Sequence, residues 1–163
     1  LTDTEYKDIL LKYLAQYINA VRRRRSLERR LRAICREMDM PIGGIHYSPV
    51  NSSSGGISSG SAAFTLRKSE IESRIAEQKR QAEADILSVM DILDYLDPNS
   101  EGRQILEYKY IDGYSWIAIS KKMYLSRPQC FRKRDKALAN LLEYKRVQKI
   151  LEDYAAQKQA PGV

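Results

Sequence analysis

His46 is the one histidine in the 163 residues, and Cys35 and Cys130 are the only cysteines. Zinc sites need Cys and His clustered at ligand spacing, and the sequence has no such cluster. Ser–His or Cys–His chemistry needs a base beside its nucleophile. His46 would have to serve, yet it lies in a Gly/Ser-rich stretch with no partner near it. Two cysteines so far apart are expected to be reduced thiols rather than a disulfide framework. Asp91 and Asp94 are a carboxylate pair, but they fall on a heptad-patterned helix where solvation accounts for them. No Gly-rich phosphate loop occurs. An enzyme is the weakest class, and no catalytic residue, metal or cofactor is expected.

The chemistry that remains is electrostatic. The chain carries 28 Lys/Arg and 21 Asp/Glu, a net charge of +7. Residues 121–136 alone hold seven Lys/Arg against one Asp. Such a block suits a polyanion, nucleic acid before a membrane surface. The competing reading is a solvated helix face. No apolar run of about eighteen residues is present, so no membrane span is expected. No secretory pattern opens the chain, and a cytoplasmic location is the expectation.

The elements that would position this block are helical throughout. Residues 2–40 contain no Gly or Pro and predict one long helix, with Thr2 or Thr4 as its cap. Leu10, Leu14, Tyr17 and Val21 step by four, three and four. Leu31, Cys35 and Met38 resume that phase after Arg24 and Glu28 interrupt it, which predicts a coiled-coil seam with a polar middle. The run Arg22–Arg25 must spread around this helix, either solvated or paired with an acidic second helix. Residues 41–64 carry no charge and many Gly and Ser, and read as a flexible linker. A second helix is expected from Thr65 or Ser69 to Leu96, with Ile71, Ile75, Gln78, Ala82, Val89, Leu93 and Leu96 in one phase and Pro98 closing it. Together these predict an antiparallel hairpin over residues 1–97 that pairs with a second copy as a homodimer, since narrow stripes leave apolar edges uncovered.

Beyond Pro98 the pattern changes. Asn99 or Ser100 can cap a helix through Ile105, Leu106 and Tyr108 to Tyr110 or Ile111. Asp112-Gly113 predicts a tight turn, because Gly accepts positive φ. Ser115 caps a short helix, Trp116 to Met123, with Trp116, Ile119 and Met123 on one face. After Tyr124-Leu125, Ser126 caps a basic helix with Pro128 in its first turn. It is expected to run inward-facing through Cys130, Ala137, Leu138, Leu141 and Leu142 toward Tyr154, ahead of a disordered tail over 156–163. Short helix, turn and longer basic helix is a helix-turn-helix pattern, in which the second helix enters the major groove. The fold class expected is therefore all-α, a long coiled-coil-like helical hairpin followed by a C-terminal helix-turn-helix domain over residues 98–155. An ordinary three-helix bundle with a basic face is the alternative.

The stretch Gln104–Leu142 resembles the C-terminal module of phage late-gene transcription regulators of the ArpU/RinA type. Their module is similar to region 4 of sigma-70 factors. Ile105-Leu106-Glu107-Tyr108-Lys109-Tyr110-Ile111-Asp112-Gly113-Tyr114-Ser115-Trp116 carries the likeness at the turn. Lys136-Ala137-Leu138 with Leu141 carries it at the end. The resemblance implies a DNA-binding transcription regulator of phage or prophage genes in a bacterial host, with double-stranded DNA as partner and host RNA polymerase as a second one. It places the base-facing positions on Arg127, Pro128, Phe131 and Arg132. Lys133 stands where the sigma module is usually apolar.

The DNA-binding residues expected from pattern and resemblance are Arg127, Gln129, Phe131, Arg132, Lys133, Lys136, Lys121 and Lys122. Arg127 is the first candidate for a base and Arg132 the second, with Lys121, Lys122 and Lys136 on phosphates. Two other functions fit: an adaptor that binds polymerase or another protein, and a DNA-packaging subunit of small-terminase kind. The latter usually places its DNA module N-terminally.

Overall fold

The computed structural model describes residues 1–39 and 59–159. Among these the secondary structure is entirely helical, with seven helices and no strand. They are α1 (Asp3–Leu14), α2 (Gln16–Asp39), α3 (Ser59–Leu93), α4 (Glu101–Tyr110), α5 (Trp116–Met123), α6 (Arg127–Leu142) and α7 (Lys145–Gln159). None is long and apolar enough to cross a membrane. The all-α expectation holds.

Three boundaries differ from expectation. The single helix expected over 2–40 is interrupted at Ala15, whose ψ of −9° departs from the helical value, while Ala15 and Asn19 still donate to the Leu11 and Ala15 carbonyls at 3.1 and 3.0 Å. The second helix begins at Ser59, inside the stretch read as linker. The rest of that linker lies outside the described residues. The basic helix expected to run from Ser126 to Tyr154 stops at Leu142. Its last turn tightens, as Glu143 and Tyr144 donate to the Asn140 and Leu141 carbonyls at 3.3 Å, an i→i−3 pattern that closes helices. The Gln148 side chain then donates to the Leu142 carbonyl at 2.7 Å. Packing explains the break. Leu141 and Val147 are both fully buried in one core, yet six residues of straight helix would turn them about 120° apart. Of the expected disordered tail, residues up to Gln159 belong to α7, and 160–163 lie outside the described residues.

The chain forms two compact units, residues 1–20 with 81–163, and residues 21–80. The expected boundary after residue 97 falls inside the first unit. There α1 packs on α6 and α7. Leu10 and Leu14, read as coiled-coil seam positions, are fully buried in a core with Val89, Ile92, Leu93, Leu106, Leu138, Leu141, Val147 and Leu151. A heptad stripe looks the same whether a coiled-coil partner or a globular core covers it, and here the core covers it. Tyr13 meets Tyr154 edge to face at 5.1 Å, and the Tyr6 hydroxyl donates to Glu152. In the second unit, Arg23 Nε donates to Gln78 Oε1 at 2.9 Å, tying α2 to α3.

Candidate nucleic-acid interface

Helices α4, α5 and α6 pack on one another. Their shared core is Ile105, Ile119 and Cys130, all fully buried, with Tyr108, Tyr114, Trp116, Met123 and Leu125 against it. Each helix starts on a serine. Ser100, Ser115 and Ser126 accept from the backbone N–H groups of Arg103, Ala118 and Gln129. At α6 the cap is reciprocal, because Gln129 Oε1 accepts from the Ser126 backbone at 2.8 Å. This capping box satisfies two otherwise orphaned donors.

The turns are equally defined. Gly113 has φ +73°, as the Asp112-Gly113 pair predicts, and a Cβ there would come 3.3 Å from Ile18 Cδ1. Between α5 and α6 the left-handed position is Tyr124, with φ 53° and ψ 39°. It is the one non-glycine residue at positive φ among the described residues, and its side chain is 95% exposed. Leu125 donates from its backbone to the Ser120 carbonyl at 3.1 Å, which locks the turn.

Two features that the sequence pattern does not reveal fix α4. Arg103 reaches Asp94 at 2.7 Å and Glu107 at 2.8 Å, and donates to the Leu96 carbonyl at 3.3 Å. Its pKa is raised, chiefly by the Glu107 bond, so the guanidinium stays charged. Gly102 is the second. A Cβ there would lie 2.8 Å from Ala137 Cβ and 3.1 Å from the Lys133 carbonyl, so α4 and α6 approach too closely for any side chain. A glycine inside a helix was the available signal.

The residues expected to meet DNA divide into two groups. Lys121, Arg127, Arg132 and Lys136 are exposed and form no ion pair among the described residues. The others are engaged by the fold. Gln129 closes the cap. The Phe131 ring sits 4.7 Å from Trp116, with the Arg134 guanidinium over both rings at 5.1 and 5.5 Å. Phe131 is half-buried and its stack on Trp116 ties α6 to α5. Lys133 pairs with Glu101 of α4. Lys122 is exposed, but its ammonium lies over Tyr114 at 4.7 Å and Tyr108 at 5.7 Å.

Helix geometry orders the free cations. At about 100° per residue, Cys130, Ala137, Leu138 and Leu141 define the buried side of α6. Arg132 and Lys136 point to the opposite side, with Pro128 and Gln129 beside them. Arg127 falls in the buried sector and is exposed because it opens the helix. Cys130 itself is fully buried, and burial raises its thiol pKa, as expected for a core cysteine. The described residues contain no group of His, Cys, Asp and Glu able to hold a metal. No family model, curated protein or solved structure matches the chain.

Proposed function

We propose that the protein is a sequence-specific DNA-binding transcription regulator, with α5 and α6 acting as a helix-turn-helix. The observation that carries this reading is the outward row of α6. Arg132 and Lys136 stand side by side opposite the core, free of ion pairs among the described residues, on a helix whose start is held by the Ser126–Gln129 box. Arg127, exposed where it opens α6, and Lys121 on α5 add two further unpaired cations. The left-handed turn at Tyr124 and the serine caps support the helix-turn-helix assignment, and the resemblance to phage regulators fits it. In this arrangement Arg132 is the base reader, since guanidinium pairs with guanine O6 and N7. Arg127, Lys121 and Lys136 hold phosphates.

The test is binding of promoter and random-sequence duplex DNA over a range of salt. Arg132→Ala should cost roughly 1–3 kcal/mol on the preferred site and relax preference. Lys136→Ala should weaken all sequences alike and lower the salt slope by about one. Equal binding of promoter and random DNA by the native chain would defeat the reading.

A second reading rests on a different observation. Ile117 is 55% exposed and Tyr124 95% exposed, and with Lys121 they share the outer side of α5. An exposed apolar–basic face suits a protein partner, and polymerase is the one the resemblance suggests. Loss of function in Ile117→Ser with DNA binding intact would favour this adaptor role.

A further inference from the structure

The net charge follows the packing units. Residues 21–80 hold 13 Lys/Arg and 6 Asp/Glu, a balance of +7, while the other residues hold 15 of each. The whole net charge of the chain therefore sits in the unit that lacks α5 and α6. Most of it lies on α2, whose residues 21–39 include eight arginines and no lysine.

Five of those arginines form a row. Arg22, Arg25, Arg29, Arg32 and Arg36 are spaced three, four, three and four. At about 100° per residue they occupy one arc of about 80°, which no other residue of 21–39 enters. All five are exposed, and none forms an ion pair among the described residues. The remaining three α2 arginines are differently placed. Arg24 pairs with Glu28 at 3.4 Å. Arg23 and Arg30 line the cleft between α2 and α3 with Leu27, Arg74 and Gln78. The acidic residues of α3 do not compensate the row: Glu70 pairs with Arg74 and Glu77 with Arg80, within α3.

We propose that this arginine row is a second nucleic-acid contact, binding the phosphate backbone of a DNA duplex without regard to sequence. Like charges three and four residues apart destabilise a helix, and Glu28, which lies three and four residues from Arg25 and Arg32, pairs with Arg24 instead, so the row is costly in the free protein. A polyanion relieves that repulsion. The row extends for about 21 Å, with a guanidinium every ~5 Å, against one phosphate per ~3.4 Å of axis on each DNA strand. Arginine, whose planar fork matches phosphate oxygens, is used throughout. A membrane surface is less suited. A basic helix lying on lipid buries an apolar face beside its charges, whereas Leu27, Leu31 and Ile34 lie on the far side of α2, where Leu27 faces the cleft with α3.

The contact stands apart from the reading of α6, and the experiment separates them. The full chain is titrated with random-sequence duplex DNA at several salt concentrations. It is compared with a variant carrying Arg22→Gln, Arg25→Gln, Arg29→Gln, Arg32→Gln and Arg36→Gln, its helicity checked by circular dichroism. Each phosphate contact contributes about 0.9 to the slope of log affinity on log salt, so the glutamine variant, lacking five such contacts, should lose about 4.5 units of slope. The corresponding five lysine substitutions should keep it. An unchanged slope in the glutamine variant overturns the proposal, as does a slope lost in the lysine variant. It is overturned too if the glutamine variant loses binding to phosphatidylserine vesicles while its DNA slope is unaltered. If the native chain shows no promoter preference but the glutamine variant still loses slope, the reading of α6 fails and the arginine row stands.

Discussion

Arg132 and Lys136 differ from their basic neighbours in what the fold leaves them free to do. Within the same stretch Lys133 is drawn to Glu101, and Arg134 to Asp135 at 2.7 Å. Seven cations in sixteen residues thus reduce to a few unpaired ones, selected by the packing of α4 and α5 and, for Arg134, by Asp135 beside it in α6. A side chain other than glycine in the left-handed region carries a local cost, and Tyr124 is too exposed to recover it by packing. Tyr124→Gly should therefore raise stability by about 0.5–1 kcal/mol, seen as a higher midpoint in urea. An unchanged or lower midpoint would show that the Tyr124 ring contributes to the fold. Cys130, with a raised thiol pKa caused first by burial, should react with iodoacetamide only on unfolding. Labelling at native rates similar to a free thiol would contradict its core placement.

The helices owe their positions to a few close contacts. Gly102 lets α4 lie against α6 where any Cβ would meet the Lys133 carbonyl at 3.1 Å. Gly102→Ala gains helix propensity but forces these helices apart, and overpacking of this kind costs about 1–3 kcal/mol. A lower thermal midpoint is the expected outcome, and a higher one would mean that the two helices yield easily. Arg103 acts at the other end of α4. The Arg103 side chain is only 16% exposed, whereas Asp94 and Glu107 are 63% and 39% exposed and can turn to water, so Arg103→Ala chiefly strands the Leu96 carbonyl. The expected loss is about 1.5–3 kcal/mol. The Trp116–Phe131–Arg134 stack sets the angle between α5 and α6. Phe131→Leu should lower stability while leaving the salt slope of DNA binding unchanged, because Phe131 contacts no phosphate.

Three tyrosines make the stability of the folded chain depend on alkaline pH. Burial raises the pKa of Tyr13, Tyr110 and Tyr154. A tyrosine whose folded pKa lies above its unfolded one keeps its proton longer in the folded state. Stability is then unaffected below the unfolded value near 10 and falls as pH rises through it. The thermal midpoint should hold from pH 7 to 9 and drop steeply above about 10. A flat profile to pH 11 would show that these hydroxyls are solvated. Association follows from what remains uncovered. Leu10 and Leu14 are consumed inside the first unit, so they cannot drive dimerisation as their heptad spacing predicts. Leu27, Leu31 and Ile34 of α2 stay half-buried, and a second copy packing there is the remaining basis for a homodimer. If the native chain sediments as a dimer, a Leu31→Glu variant should sediment as a monomer, and an unaltered coefficient would remove that basis.

Local chemistry alone determined much of this protein. Serine caps, Gly113 at its turn, Pro128 in a first turn and the heptad phases of α1 to α3 are short-range preferences, written in neighbouring residues. They marked the all-helical class, the limits of α4 and α5 and the start of α6 before any packing was known. The partner of each stripe was a tertiary matter. Leu10 and Leu14 read equally well as a coiled-coil seam, because hydrophobic burial has no direction and a stripe does not name what covers it. The break after Leu142 was hidden for the same reason: Val147 had to meet a core that the sequence does not locate. The charges behave alike. Composition placed a basic block at 121–136, but long-range pairing decided that Lys133 is occupied and Arg132 free. The order of residues put the entire net charge on 21–80, with the arginine row of α2, but only the tertiary structure made that stretch a compact unit of its own.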